Sequence, residues 1–323
     1  MASLKEIKTR IASVNSTRKI TSAMKMVASS KLHHAQVAIQ NMLPYENLLE
    51  HILKSFLVST PEATSLFEQR HNEVKRVALV VYSSNSSLCG GFNANVLKMM
   101  EQIVAEYHDH GITNIVVYPI GRKVAERVQK RGWTSAGDFV ALADKPNARD
   151  CALISQELTR KYAAHEIDKV ELVYHHFKSA GSQILTRRTF LPIDLSTEKI
   201  GVMNDRDLTS NVATAKAQEY LRKRDKQRQH VVTEAKPLND NFLVEPNLEY
   251  VLQALVPKLL NLMVYTALLD SIASEHAARM VAMQTATDNA DELLRQLRLQ
   301  YNKSRQAAIT SELLDIVGGS VNN

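Results

Sequence analysis

The stretch "NSTRKITSAMKMVASSKLHHAQ", Asn15 to Gln36, decides the fold. It is built from Ser, Thr, Met, Lys and Arg and holds no acidic residue. A solvated helix mixes both charge signs at three- and four-residue spacing, and a core helix buries Leu and Ile. This stretch does neither, so it reads as a helix whose surface is meant for a partner. It lies inside a longer span, Ser3 to Ser59, with Pro44 as its only breaker and no Gly. Such a span allows one very long helix or two in line. Leu4, Ile7, Ile11, Val14, Ile20, Met24, Val27, Leu32 and Ala35 recur at mostly three- and four-residue steps, close to a coiled-coil seam that Thr17 and Lys31 interrupt.

A seam needs a second helix, and the other end of the chain supplies one. From Pro246 to Gly318 there is again no Gly, and Pro257 is the only internal breaker. Some seventy residues at about 1.5 Å each predict a rod of roughly 100 Å. Its later half is rich in Ala, Ser and Thr, which let two helices approach closely and leave a slim, polar rod. Two long helices at opposite chain ends bury their seams on each other, as an antiparallel coiled coil.

The middle changes rhythm. "RVALVVYSS" (76–84), "NIVVYPIG" (114–121), "KVELVYHHFKS" and "QILTRRTFLPI" read as strands, with amphipathic helical runs between the first three. Ala180 and Gly181 make a hairpin turn between the last two. The class is therefore α/β: a long coiled coil of N- and C-terminal helices plus a Rossmann-like domain with a mainly parallel sheet and an antiparallel edge. The divisions are 1–60 and 246–319 for the two long terminal helices, 75–195 for the α/β domain, and 196–245 for a polar, partly helical insert.

The chain has 323 residues, 45% hydrophobic and 23% charged, which is enough for a sizeable core and argues against wholesale disorder. Its formal net charge of +6 is concentrated at one end, where Lys5, Lys8, Arg10, Arg18, Lys19, Lys25 and Lys31 face Glu6 alone. That asymmetry points to an acidic partner. Cys89 and Cys151 form no CxxC or zinc spacing and suit a reducing, intracellular setting. No apolar run of membrane-spanning length and no signal peptide is read.

For chemistry the residues offer little. There is no GxxxxGK[ST] loop, no GxGxxG after a strand and no GxSxG elbow, so nucleotide binding is unsupported. Cys89, before a Gly pair at the end of the first strand, occupies the place of an α/β active site, and an enzyme with helical arms stays open on that ground. The pairs His33/His34 and His175/His176 put neighbouring rings on different sides and make no metal site by themselves. Met24, Met26, Met280 and Met283 suit a seam or an adaptable contact surface. A nucleic-acid role for the basic helix is the third reading, but residues 1–40 hold no Phe, Tyr or Trp for stacking.

Three blocks carry a resemblance: "KEIKTRIASVNSTRKITSAMKMVASSKLHHAQ", "LCGGFNANV", and "SEHAARMVAMQTATDNADELLRQLRLQYNKSRQAAITSELLDIVGG". In this order they resemble the gamma subunit of F-type ATP synthases, the central rotor shaft. The resemblance implies a non-catalytic subunit with no cofactor and no metal. Its partners would be the alpha and beta subunits of the catalytic hexamer, an epsilon-type subunit and the ring of c subunits, with no nucleic acid. The place implied is peripheral, on the cytoplasmic face of a bacterial inner membrane. By matching, Lys19, Met24, Lys25 and Cys89 would meet the beta levers, and Arg305, Gln306 and Glu312 would grip the hexamer. Ahead of Leu88 the family usually carries an acidic and a basic residue with a Gly, where this chain has "SSNSSLCGG". The 196–245 segment falls where photosynthetic relatives carry a regulatory insert, without the cysteine pair of the chloroplast form.

Overall fold

The computed structural model describes residues 4–59, 74–193, Glu245 and 248–321. The 196–245 segment therefore lies, apart from Glu245, outside the described residues. Helix α1 runs unbroken through Pro44 from Leu4 to Ser59, about 84 Å at 1.5 Å per residue. Then follow β1 (Arg76–Tyr82), α2 (Phe92–Asp109), β2 (Asn114–Ile120), α3 (Arg122–Arg131), β3 (Thr134–Ser135), α4 (Val140–Asp144), α5 (Ala148–Ala163), β4 (Lys169–Ser179), β5 (Ser182–Leu191) and α6 (Leu248–Val321). The sheet order is β3-β2-β1-β4-β5. Its pairings are parallel except for the β4–β5 hairpin. β1, β2 and β4 are buried on both faces, as their near-continuous apolar runs require.

One sheet face packs on α2 and α3, through Val96, Met100 and Ile103 of α2 and Val124 and Val128 of α3. The other packs on α5, the first part of α6 and the lower half of α1. That second core joins Leu32, Ala35, Ile39, Leu49 and Leu53 of α1 to Leu252 through Ala277 of α6 and to Tyr82, Tyr118 and Phe190 of the sheet. The lower shaft is thus part of the domain core. Gly121 ends β2 at φ +100°, where a Cβ would stand 2.2 Å from the Ser83 carbonyl oxygen, so only glycine fits between β1 and β2 there.

The sequence reading expects no apolar run long enough to cross a membrane, yet α6 is long and apolar enough by length and composition, with an 18-residue window of mean hydropathy 1.5. Half of that window is buried inside the protein. Its apolar residues are those of a core helix, interleaved with Asp270, Ser274 and Glu275.

Above the domain the two helices run antiparallel, joined by an Arg18–Asp291 ion pair at 3.1 Å and a Thr21–Thr287 hydroxyl contact at 2.8 Å. Here the seam departs from the expected one. The inward residues of α1 are Leu4, Ile7, Ile11, Val14, Arg18, Thr21, Lys25, Ala28, Leu32, Ala35 and Ile39, an unbroken alternation of three- and four-residue steps. Ile20 and Val27, assigned to the seam from their hydrophobicity, stand 60% and 58% exposed, while Thr21 and Ala28 are 9% and 2% exposed. Leaving each large side chain in water forgoes a burial of about 1.5–3 kcal/mol. Helix geometry accounts for the choice. A strict 3.5-residue repeat that is apolar above Thr17 and below Lys31 carries its phase through the polar stretch between them. On α6 the matching positions are Met280, Met283, Thr287, Ala290, Leu294, Leu297, Tyr301 and Ser304.

Candidate functional site

Because the seam passes through Arg18, Thr21 and Lys25, the outer face of α1 is set. Lys19 is exposed, Met24 and Lys25 sit half-buried at the margin of the seam, and Ile20, Met26 and Val27 are exposed. Basic and apolar groups lie side by side, and between Glu6 and Glu46 the helix carries no carboxylate. The facing part of α6 is mixed, with Asp288, Asp291, Glu292, Arg295 and Arg298 exposed. Seen around its axis, the rod is electrostatically lopsided.

Near its end α6 exposes Arg305, Gln306 and Glu312 together with Ile309, Leu313 and Leu314. Residues 305, 309 and 312 share one helical face by their spacing, so a cation, an apolar group and an anion point the same way.

The loop between β1 and α2 corrects the expectation for Cys89. Its thiol is 2% exposed and not on the surface. The Asn93 amide donates to Sγ at 3.1 Å, with the Ser84 hydroxyl at 3.8 Å and the Ser86 carbonyl at 3.9 Å. None of these is a base that could activate a thiol, which removes the observation favouring an enzyme built on Cys89. The neighbouring Leu88, at φ +68°, is exposed instead. The small hydroxyl residues of this loop bind within the chain. Arg279 of α6 donates to Ser86 Oγ at 2.6 Å and to the Ser87 carbonyl at 3.4 Å, while pairing with Glu275 at 2.6 Å. Burial raises the Glu275 carboxyl above its ordinary value, and Arg279 opposes the shift. Sequence reasoning missed this latch; its signal was the Glu-to-Arg step of four on one helix.

Below the loop the domain is fastened to the shaft by buried polar bonds. Asp270 accepts from the Phe177 backbone N–H at 2.8 Å and contacts His176 Nδ1 at 2.6 Å. Ser274 donates to the His175 carbonyl at 3.1 Å, and the Tyr82 hydroxyl donates to the Val264 carbonyl at 3.1 Å. His175 stacks on Phe92 at 4.3 Å, and burial lowers its pKa to about 4. His276 is lowered to about 4 as well, by burial first and by Arg279 and Lys31 next. Glu46 of α1 accepts from Arg188 of β5 at 3.1 Å. Among the described residues no group of three or more His, Cys, Asp or Glu is placed to hold a metal ion.

A shaft fused to a small α/β domain can be compared with known proteins along its whole length. Residues 3–321 match a family model described as ATP synthase. The ATP synthase gamma chain of Phocaeicola vulgatus is 52% identical over 321 residues, which is 99% of this chain and 100% of that one. This chain belongs to the ATP synthase gamma-chain family. A more distant gamma chain, from Flavobacterium johnsoniae, is 39% identical over 99% of this chain and 98% of its own. The fold is also that of solved rotor chains. One from the central stalk and c-ring of Tetrahymena thermophila mitochondrial ATP synthase gives a TM-score of 0.53 at 23% identity, over 83% of this chain and 99% of that one. Another, from the Euglena gracilis mitochondrial ATP synthase rotor, gives 0.57 at 16% identity, over 95% and 98%. Membership of the gamma-chain family thus spans both shaft helices and the α/β domain.

Proposed function

We propose that this chain is the central rotor shaft of an F-type ATP synthase, coupling proton- or ion-driven rotation of the membrane c-ring to conformational change in the catalytic beta subunits, and that it carries no catalysis itself. The observation that carries this reading is the lopsided rod locked to its domain. Asp270, Ser274 and Tyr82 fasten shaft to sheet through enclosed polar bonds, and Arg279 ties it to the loop after β1. Meanwhile α1 exposes Lys19, Ile20, Met26 and Val27 along a stretch that carries no carboxylate. A lopsided shaft turning as a unit offers each of three surrounding sites a different face, and differential contact energy is what shifts a conformational equilibrium.

The parts divide the work. Residues 1–60 and 246–319 form the shaft inside a hexamer of alpha and beta subunits, and 75–195 form the foot beside an epsilon-type subunit and the c-ring. The location is peripheral, on the cytoplasmic face of a bacterial inner membrane. Lys19, Met24 and Lys25 face acidic lever segments of beta in turn, with Leu88 rather than the Cys89 thiol making contact at the loop. Exposed charge pairs are worth only about 0–1 kcal/mol each, which suits contacts broken and remade at every step. Arg305, Gln306 and Glu312 grip the hexamer near the far end.

The test is co-expression with the cognate alpha and beta subunits and purification through a tag on beta. A particle with one copy of this chain per three beta, hydrolysing ATP in a way the isolated chain does not, is the expected result. Failure to co-purify, or hydrolysis by the isolated chain, overturns the reading.

A further inference from the structure

Two phases compete for the middle of the shaft. In the observed one, Arg18, Thr21, Lys25 and Ala28 face α6. In the other, α1 turns locally by about one residue, roughly 100° for 3.6 residues per turn, and Ile20, Met24 and Val27 go inward. Burial of apolar surface alone favours the second, because it exchanges a Thr and an Ala for an Ile and a Val. It would enter through two consecutive three-residue steps, 14 to 17 to 20, and leave through two consecutive four-residue steps, 27 to 31 to 35. These are local overwinding and unwinding of the kind that coiled coils tolerate.

We infer that Thr287 and Asp291 of α6 act as a phase clamp, holding α1 in the orientation that keeps Ile20 and Val27 outward. The Thr21 and Thr287 hydroxyls touch at 2.8 Å. Whichever of them donates to the other, the chain of bonds ends on a backbone carbonyl, Met283 at 2.8 Å or Arg18 at 3.0 Å. One helical turn along, Arg18 lays its stem beside the seam, its Nε enclosed, and reaches Asp291 at 3.1 Å. Both contacts exist in one phase only. A turn of one residue carries Thr21 and Arg18 away from α6 and breaks them together. Polar seam residues specify an arrangement at some expense of stability, and here the arrangement specified is rotational. Its use for presenting Lys19, Met24 and Ile20 to neighbouring subunits rests on the shaft reading; the clamp itself does not.

Thiol labelling of the full chain tests the clamp without any partner. Ile20→Cys and Met26→Cys variants are labelled with a maleimide; Cys89 and Cys151 are buried and leave the reagent to the introduced thiol. With the clamp intact the two sites label at similar rates, being outward in the observed phase. Thr287→Ala with Asp291→Ala removes the clamp from the α6 side and leaves the rest of α1 unchanged. Labelling at position 20 is then expected to slow severalfold relative to position 26, which stays outward in both phases. Thr287→Ser with Asp291→Glu should restore the original ratio. An unchanged ratio, a faster reaction at position 20, or a failure of the conservative pair to restore it overturns the inference. None of these outcomes depends on co-purification with alpha and beta subunits.

Discussion

The base of the shaft and its middle are made from the same two helices by opposite means. At the base, Leu32, Ile39 and Leu53 of α1 and Leu259, Leu260, Val264 and Leu268 of α6 are buried among sheet residues. In the middle the seam holds Arg18, Thr21, Lys25 and Ala28 against Thr287 and Ala290. The first is a protein core that happens to contain helices, and the second is a rod with almost no core. Stability resides at the base, and the middle is free to specialise its surface. A shaft built of base-like sequence throughout would bury its large apolar groups and have few left to show a partner.

The largest effect expected from this difference is a cavity at the base. Leu260→Ala empties a fully buried site held by helix and sheet together, and should lower the unfolding free energy by about 2–5 kcal/mol in a denaturant titration. Leu297→Ala, also buried but in the free rod, should cost less, because a two-helix seam open to water collapses more easily around a missing side chain. Equal losses at the two sites would erase the distinction between core and rod.

Next in size is a response to acid confined to the base. His175 and His276, both held near pKa 4, stay neutral in the folded protein where free histidine, near 6.5, takes up a proton. Between pH 6.5 and 4 the unfolded chain binds more protons than the folded one, so stability falls as pH falls through that window. For His175 alone the full effect is on the order of 3 kcal/mol. Glu275, whose carboxyl is raised by burial, works in the opposite direction at the lower end. His175→Phe should flatten the slope of unfolding free energy against pH in this range.

The same contrast marks what could be read from the residues. The parallel sheet was legible because β-branched runs at 76–82, 114–120 and 169–174 leave few alternatives. The long helices were legible because Gly is missing where it would stop them. β3 and α4, at two and five residues, are too short to impose a pattern. The seam was legible only where it is apolar. Between Val14 and Leu32 hydrophobicity pointed to Ile20 and Val27, and the true phase is visible only by extending the repeat from both sides. Cys89 could be placed beside the Gly pair but not seen to be buried, since its burial depends on Asn93 and on the approach of α6. Asp270 bonding to His176 and Phe177, across more than ninety residues of chain, left no local mark at all.

That junction supplies a third break of the comparison. Asp270→Ala leaves the Phe177 N–H buried without its acceptor, a loss of about 1–3 kcal/mol. The loss should appear as faster amide exchange at Phe177 and along the β4–β5 hairpin, with the rod above Thr21 unaffected. Spread of the change to the upper rod would mean that base and middle unfold as one unit.

The smallest effect on stability should be the largest on function. Lys19 is exposed and no shape of the fold depends on it, so Lys19→Ala should move the unfolding free energy by less than about 0.5 kcal/mol. In the assembled complex, however, the proposed contact with an acidic lever of beta should weaken when this cation is removed. ATP hydrolysis by the Lys19→Ala particle should therefore become less sensitive to salt, because screening acts on a charge pair that is no longer there. Its thermal midpoint should not move. If salt dependence persists unchanged, the basic face of α1 is not the one the hexamer reads, and the mixed face of α6, with Arg295 and Arg298, becomes the side to test.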